Sequence, residues 1–370
     1  MSQTIIAFGD PKAQRRWSSE LISETNKKSY FTRKFIGEGE NSIIQRKTEL
    51  DSDVGDRVSF DLSVQLRNTP TKGDDRVEGK EENLKFFTDE VIIDQMRHAV
   101  SAGGKMSRKR TVHDMRKVAK DRLSDYWSQY IDELFFINLS GARGINEDFI
   151  EGEDFAGHAG NPLLAPDAQH ILFGSAGANA PTSKAAVTAA DEFSRNLVER
   201  AATASRMMRA LDRNAANMLP VIINGERHYC IVMSPFQEHS LRTSSTAGWL
   251  EIQKAAAAAE GKANPIFKGN LGMINNIVLH SHESAIRFND YGVGKNLPAA
   301  RALLLGKQAG VVAYGTAGGL HYTWKEEKRD YDNEPTVAAG TIIGVKKTRF
   351  NNRDFGVIAL DTYAKNPEAA

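Results

Sequence analysis

The sequence carries a single cysteine, Cys230, in 370 residues. That excludes an intrachain disulfide framework and suits a reducing compartment. No run of eighteen apolar residues occurs, so nothing reads as a membrane-spanning helix. The opening MSQTIIAFGDPKAQRRW lacks the apolar core of a secretory signal, and the product is expected to stay where it is made. Charge of one sign is missing as well. Lys and Arg number 48 against 47 Asp and Glu, and a net charge of +1 removes an overall basic footprint for nucleic acid. The phosphate-loop, zinc-protease, nucleophile-elbow and CxxC patterns are all absent.

What is present begins with one long stretch, residues 107–139. It places apolar or small side chains at Val112, Met115, Ala119, Leu123, Tyr126, Tyr130, Leu134 and Ile137. Steps of three and four make a stripe at the helical period. A second column, Trp127, Ile131 and Phe135, widens it in the C-terminal half. No Pro or Gly interrupts the run, and Ser107, after Gly103-Gly104, is placed to be its N-cap. At ~1.5 Å per residue the helix would be ~45–50 Å long, so other elements must lie along it. It reads as a spine, with Trp127, Ile131 and Phe135 packed on a sheet of C-terminal strands.

An apolar fraction of 41% supports real cores, and the length suggests two or three domains. Residues 1–40 are polar and basic, with scattered aromatics at Trp17, Tyr30, Phe31 and Phe35, and read as an extended arm. From Ser42 the period becomes two. Val58, Phe60, Leu62, Val64 and Leu66 share one face, and residues 84–93 form a second strand-like run. The Pro-, Gly- and charge-rich connection between them is too long for a tight turn and predicts a projecting hairpin. Beyond the spine, Gly-rich loops lead to a second helix expected over 182–214, on a stripe that includes Ala186, Ala190, Phe193 and Leu197. Strands then flank an Asn224-Gly225 turn, and an Ala-rich helix is expected over 249–260. Further buried strands follow, with late turns at Asp332-Asn333 and Asn351-Asn352.

Chemistry-bearing clusters are sparse. His280 and His282 share a strand face beside Glu283, but no third and fourth ligand lies near for a metal. His228 and Cys230 share another face, which fits a buried thiol better than a nucleophile. Gly37–Asn41 and Gly103-Gly104-Lys105 resemble phosphate cradles but lack the surrounding pattern, and read as a turn and a helix start. No catalytic, cofactor or metal residue is assigned, and the chain is not expected to be an enzyme.

The order of parts resembles the major capsid proteins of tailed double-stranded-DNA bacteriophages, closely those of the N4-like branch. The resemblance rests on KFIGEGENSIIQRKTELDSDVGDRVSFDLSVQLRNTPTKGDDRVEG, FFTDEVIIDQMRHAVSAGGKMS and RLSDYWSQYIDELFFINLSGARG. It continues in NPIFKGNLGMINNIVLHSH, ARALLLGKQAGVVAYG and TIIGVKKTRFNNRDFGVIALDTYA, covering nearly everything after residue 30. It implies an α+β fold with an N-terminal arm (1–40) and strands bearing an extended hairpin loop (41–100). A peripheral domain (101–180 with 319–353) would hold the spine. An axial domain (181–318) would take back the last strand and tail (354–370). It further implies a subunit that assembles with itself into hexamers and pentamers of a virion shell, built in the bacterial cytoplasm. Expected partners are a separate scaffolding protein, since the arm is too short to be one, a portal, decoration proteins, and packaged double-stranded DNA held without sequence specificity. No membrane and no cofactor are implied.

In that family the extended loop lies across the neighbouring subunit near the start of its spine. Here the loop tip carries Asp74, Asp75, Glu78, Glu81 and Glu82, and the spine opens with Arg108, Lys109 and Arg110. The helix dipole disfavours cations at that end, so an acidic partner is expected over them. These residues are the candidate inter-subunit contact. Two other readings stay open: an encapsulin-like compartment shell, which shares the implied fold but encloses protein cargo and which gene neighbours would distinguish, and a cytosolic enzyme, which a cleft with perturbed acidic or histidine groups would reveal.

Overall fold

A computed structural model describes residues 25, 28–51, 54–63, 66, 68–110, 115–174, 180–211, 217–244, 266, 271–316, 322–331 and 333–368. The chain begins with α1 (Tyr30–Lys34), β1 (Ile36–Gly37), β2 (Ile44–Lys47), β3 (Arg57–Ser63), β4 (Phe86–Ile92) and β5 (Asp94–Ser101). Next come α2 (Lys105–Arg110), the spine α3 (Met115–Ser140), β6 (Gly157–His158), β7 (Asn161–Pro162), β8 (Ile171–Phe173) and α4 (Arg195–Leu211). They are followed by β9 (Val221–Ile223), β10 (Glu226–Met233), α5 (Pro235–Ser244), β11 (Gly272–Ile274), β12 (Ile277–Ser281), β13 (Arg287–Tyr291) and β14 (Leu297–Leu305). The last strands are β15 (Gly310–Tyr314), β16 (Thr323–Arg329), β17 (Glu334–Lys347), β18 (Arg349–Phe350), β19 (Arg353–Asp354) and β20 (Val357–Tyr363).

Two sheets flank the spine. One is six-stranded and built around β17, which is 14 residues long and pairs antiparallel with β16, β15 and β5. Parallel pairing of β15 with β2, and of β2 with β1, ties the N-terminal strands into that sheet. The other is eight-stranded, with core order β11-β12-β10-β14-β20-β8 and with β9 and β13 attached to β10 and β14. Val337, Ala339, Ile343 and Val345 from the first sheet, and Cys230, Val232, Leu303 and Val357 from the second, join Trp127, Ile131 and Phe135 in one apolar core.

The spine runs as expected in its C-terminal half: Trp127, Ile131 and Phe135 are buried. Burial extends further than one stripe, because residues 130–140 are buried on every side. A helix clamped between two sheets has no wet face. It ends at Gly141, whose φ of 68° places it in the left-handed region, with its N–H bonded to the Ile137 carbonyl. A Cβ there would lie 2.0 Å from the Leu164 carbonyl oxygen, so glycine is required.

Several sequence expectations need correction. Ser107 is not the N-cap; the helix starts at Lys105, whose N–H donates to Asn333 Oδ1 at 3.1 Å. The cap therefore comes from a distant turn. Residues 182–194 are not the first third of a helix. Asp191 Oδ2 accepts from both the N–H and the hydroxyl of Thr188, closing a local turn, and α4 begins only at Arg195. The Ala-rich stretch 249–260 lies outside the described residues.

Residues 28–35 are not an extended arm. Phe31 and Phe35 are buried, and Phe31 packs 5.2 Å from the Phe135 ring and 4.8 Å from the Phe136 ring. Asp132 on the spine accepts from Ser29 Oγ, the Tyr30 N–H and the Phe31 N–H, pinning the start of α1. Sheet membership also crosses the boundaries drawn from sequence. β2, β5 and β15 all lie in the six-stranded sheet, whereas β8 pairs with β20 in the eight-stranded one. Pairing is set by register with β17 and β20, which lie far away in the chain.

Candidate functional site

The extended hairpin is the most prominent candidate. β3 and β4 pair antiparallel from Arg57↔Ile92 to Ser63↔Phe86. Val58 and Val91 at its base are buried with Leu50, Ile93, Val311 and Ala313. Polar contacts fix the same base. The Asn161 amide brackets Ile92, accepting from its N–H at 3.0 Å and donating to its carbonyl at 2.7 Å. Lys346 Nζ donates to the Glu90 carbonyl and pairs with Asp89. The ribbon thus leaves the body from a rigid root.

Its tip is held mainly by its own groups. Glu82 accepts from the Asn68 N–H and Glu81 from the Gly79 N–H, each at 2.8 Å, while Asp75 lies 3.3 Å from Lys80. Asp74, Asp75, Glu78 and Glu81 are exposed, and Glu82 is half-buried. Leu66, Val77, Leu84 and Phe86 are also left in water, at 54–61% exposure. Apolar side chains gathered on an acidic, projecting ribbon are a contact surface awaiting a partner.

The basic set falls on α2. Lys109 and Arg110 are exposed, and Arg108 lies beside them on the same short helix. Because α2 begins at Lys105, these residues sit about one turn inside it, and the dipole weighs on them less than the sequence suggested. Among the described residues no hydrogen bond or ion pair joins Asp74, Asp75, Glu78 or Glu81 to Lys109 or Arg110 within one subunit.

The candidate chemical clusters are packing elements. His282 lies 4.6 Å from the Tyr30 ring and 5.0 Å from Phe136, and His280 lies 5.8 Å from Phe35. Burial, with Lys34 nearby, lowers both imidazoles to about 4, so they stay neutral at pH 7. His280 Nε2 is 2.8 Å from the Ile266 carbonyl. Cys230 is fully buried, and burial pushes its thiol up, which suppresses the thiolate. Among the described residues no group of His, Cys, Asp and Glu could hold a metal ion. No helix among them is long and apolar enough to cross a membrane.

Sequence reasoning missed two carboxylates with structural roles. Asp132 clamps α1, and Glu133, 1% exposed, accepts from the backbone N–H groups of Ile150 and Glu151 at 2.8 Å each. Their signal was visible: adjacent acids inside an otherwise apolar stretch need partners once buried.

Residues 5–366 match the family described as phage capsid protein. A curated relative, the major capsid protein of Pseudomonas phage KPP25, is 26% identical, covering 92% of this chain and 93% of its own. The solved capsid of Ralstonia phage GP4 is 66% identical, with a TM-score of 0.88 and full coverage of both chains. The capsid of cyanophage Pam1 shares the fold at 22% identity, with a TM-score of 0.66 over 89% of this chain and 91% of that one. The tailed-phage capsid fold is therefore the fold of this α+β chain, which belongs to the phage capsid protein family, a family of structural shell proteins rather than enzymes.

Proposed function

We propose that this chain builds an icosahedral phage head as hexamers and pentamers enclosing double-stranded DNA. The observation that carries this reading is the rooted hairpin, whose exposed apolar and acidic tip has no body of its own to pack on. The division into arm (1–40), strands with the extended loop (41–100), peripheral domain (101–180 with 319–353) and axial domain (181–318 with 354–370) is proposed with three exceptions: residues 28–35 pack on the spine, β8 belongs with the axial strands, and β15 belongs with the peripheral ones. The six-stranded sheet would then be peripheral and the eight-stranded sheet axial.

The tip of one subunit, through Asp74, Asp75, Glu78, Glu81 and Glu82, would dock on Arg108, Lys109 and Arg110 of the next. Each subunit engages several neighbours, so modest contacts suffice and closure multiplies them. A balanced charge, +1 over the whole chain, suits a wall that must hold DNA without gripping it. A separate scaffolding protein, a portal and decoration proteins complete the proposed partners, with assembly in the host cytoplasm and residence in the virion.

Co-expression with the scaffolding protein, followed by electron microscopy, tests the reading. Closed shells are expected, and deletion of residues 68–83 is expected to abolish them. A monodisperse monomer under every condition, with residues 68–83 protease-resistant, would overturn it.

A further inference from the structure

Two surface features carry exposed aliphatic side chains among charges of opposite sign. The first is a knob. Ile150 stands 39% exposed on a loop bearing the exposed carboxylates Glu147, Asp148, Glu153 and Asp154. Its backbone is unusually well held for a surface loop. Buried Glu133 takes the N–H groups of Ile150 and Glu151, and Arg143 donates through Nε and Nη2 to the Glu151 carbonyl at 2.9 and 2.7 Å. Gln129 donates to the Asp148 carbonyl, and the Arg143 guanidinium lies 4.7 Å over the Phe149 ring.

The second is a socket. A cleft of about 550 Å³ opens where the end of α4, the β9–β10 hairpin and the β14–β15 connection meet. Met218, Leu219 and Ile222 give it apolar walls, and Arg206, Arg227 and Lys307 stand around it. Leu219 and Ile222 are 42% and 55% exposed, although nothing polar requires them in water. Asn41 fastens the rim, donating to the Ile222 carbonyl at 2.7 Å and accepting from its N–H at 2.9 Å. Arg206 is oriented by the Asn275 carbonyl at 3.1 Å, and Lys307 lies 3.6 Å from Glu40. Arg227 is exposed and makes no ion pair among the described residues.

We infer that the Ile150 knob of one subunit seats in this cleft on a second copy of the same chain. The inference rests on the shell reading and adds a contact independent of the extended hairpin. An apolar anchor in a preformed apolar cleft, with charges of the opposite sign around it, has the apolar centre and polar rim of a protein interface. Both halves are ordered before they meet, so little entropy is lost on docking. The hairpin tip is the rival acidic partner and has exposed apolar side chains of its own, but it is held mainly by its own groups, whereas Ile150 is fixed to the body by a buried carboxylate. Knob and socket are different surfaces of one chain. The contact is therefore head-to-tail, the class of contact that forms a ring when its rotation closes.

Crosslinking of assembled particles tests it. Ile150→Cys and Ile222→Cys are introduced singly and together, the native Cys230 being fully buried. Purified shells are treated with a short bismaleimide and resolved under denaturing conditions. The double variant is expected to give a ladder of covalent multimers, and each single variant is expected to remain monomeric. Shells that form but give no ladder in the double variant overturn the inference while leaving the shell reading intact. Multimers from either single variant overturn it too, since they would show like meeting like. Failure of the unmodified chain to form shells counts against the shell reading instead. As a second readout, Arg227→Glu is expected to lower the shell yield at least severalfold, and Glu153→Arg in the same chain is expected to restore it.

Discussion

Arg301 and Asp361 form a bidentate ion pair sealed inside the protein, Nε to Oδ1 and Nη2 to Oδ2, both at 2.7 Å. Arg301 is on β14 and Asp361 on the neighbouring β20, paired across the sheet. The remaining guanidinium arm donates to the Ser140 carbonyl at 2.7 Å, at the last residue of the spine, and the Tyr291 hydroxyl donates to Asp361 at 2.5 Å. One charge pair thus ties the eight-stranded sheet to the end of the helix that both sheets share. Removing a single partner leaves a buried charge alone, at a cost of about 3–5 kcal/mol. Asp361→Asn and Arg301→Met are each expected to lower the urea midpoint of dissociated subunits accordingly. The double change Arg301→Met with Asp361→Leu is expected to cost less than either. Equal or greater loss in the double variant would show that the pair acts through packing instead.

The spine core gives a second prediction. Phe135 is 0% exposed and faces Phe31 from the N-terminal segment, while Trp127 lies 5.9 Å from the Tyr322 ring. Phe135→Ala removes a ring from a site closed on all sides and is expected to cost about 3–5 kcal/mol in chemical unfolding. Loss of protection at residues 28–35 in hydrogen exchange is expected with it, because the ring supports Phe31. A cost below about 1 kcal/mol would mean that the site collapses freely, contrary to a close-packed core.

Acid is expected to loosen the same region. Burial and nearby Lys34 disfavour the charged forms of His280 and His282 and push both down to about 4 in the folded chain. Unfolded imidazoles titrate at ~6.5. As pH falls through that window the unfolded state takes protons first, so stability present above ~6.5 is progressively lost toward 4. Asp132, pushed up to about 6 by burial, works the other way, since the folded state takes its proton first. Asp148 also pulls His282 up, though less than burial and Lys34 push it down. Glu133, also raised by burial, sides with Asp132, and His228, lowered by burial, sides with the two histidines; three imidazoles against two carboxyls leave a net loss of stability toward pH 4. Thermal unfolding of dissociated subunits between pH 7 and 4.5 measures it, and His282→Gln is expected to flatten the slope. A profile that rises on acidification would show Asp132 dominating.

Much of this architecture was legible in the sequence where one element carries its own signal. The period-two run from Val58 to Leu62 gave the hairpin, and Asn224-Gly225 gave a turn with φ of 52° and 86°. The spine stripe predicted Trp127, Ile131 and Phe135 in the core. What stayed hidden depends on partners far away in the chain. Phe31 looked like part of a loose arm because Asp132, 101 residues later, supplies its anchor. Ala186 and Ala190 kept helical spacing, yet Asp191 and Thr188 closed a turn between a three-residue helical turn, Lys184–Ala186, and the start of α4 at Arg195. The acidic tip could be read from composition, whereas the socket could not, since Arg206, Arg227 and Lys307 come from three separate segments.

The last prediction concerns the proposed contact between the hairpin tip and the start of the spine. The tip places Asp74, Asp75 and Glu78 in solvent beside exposed Val77, and α2 places Lys109 and Arg110 in solvent beside exposed Met106. Each surface therefore offers an apolar side chain beside an excess of one charge, although Lys72, Arg76 and Lys80 offset part of the acidic excess at the tip. Exposed ion pairs contribute only about 0.2–1 kcal/mol each, but the contact would recur at every subunit of the shell. Its strength should fall with salt, because solvent-exposed charges are screened over about 10 Å at 0.1 M. Reversing Arg108, Lys109 and Arg110 to Glu is expected to block assembly or leave shells that fall apart at moderate salt. Reversing Asp74, Asp75 and Glu78 to Lys in the same chain is expected to restore them, since the attraction is re-formed with its signs exchanged. Shell yield by sedimentation across a salt series reads both steps. If the first reversal leaves yield and salt dependence unchanged, the basic residues face solvent or packaged DNA and the tip docks elsewhere.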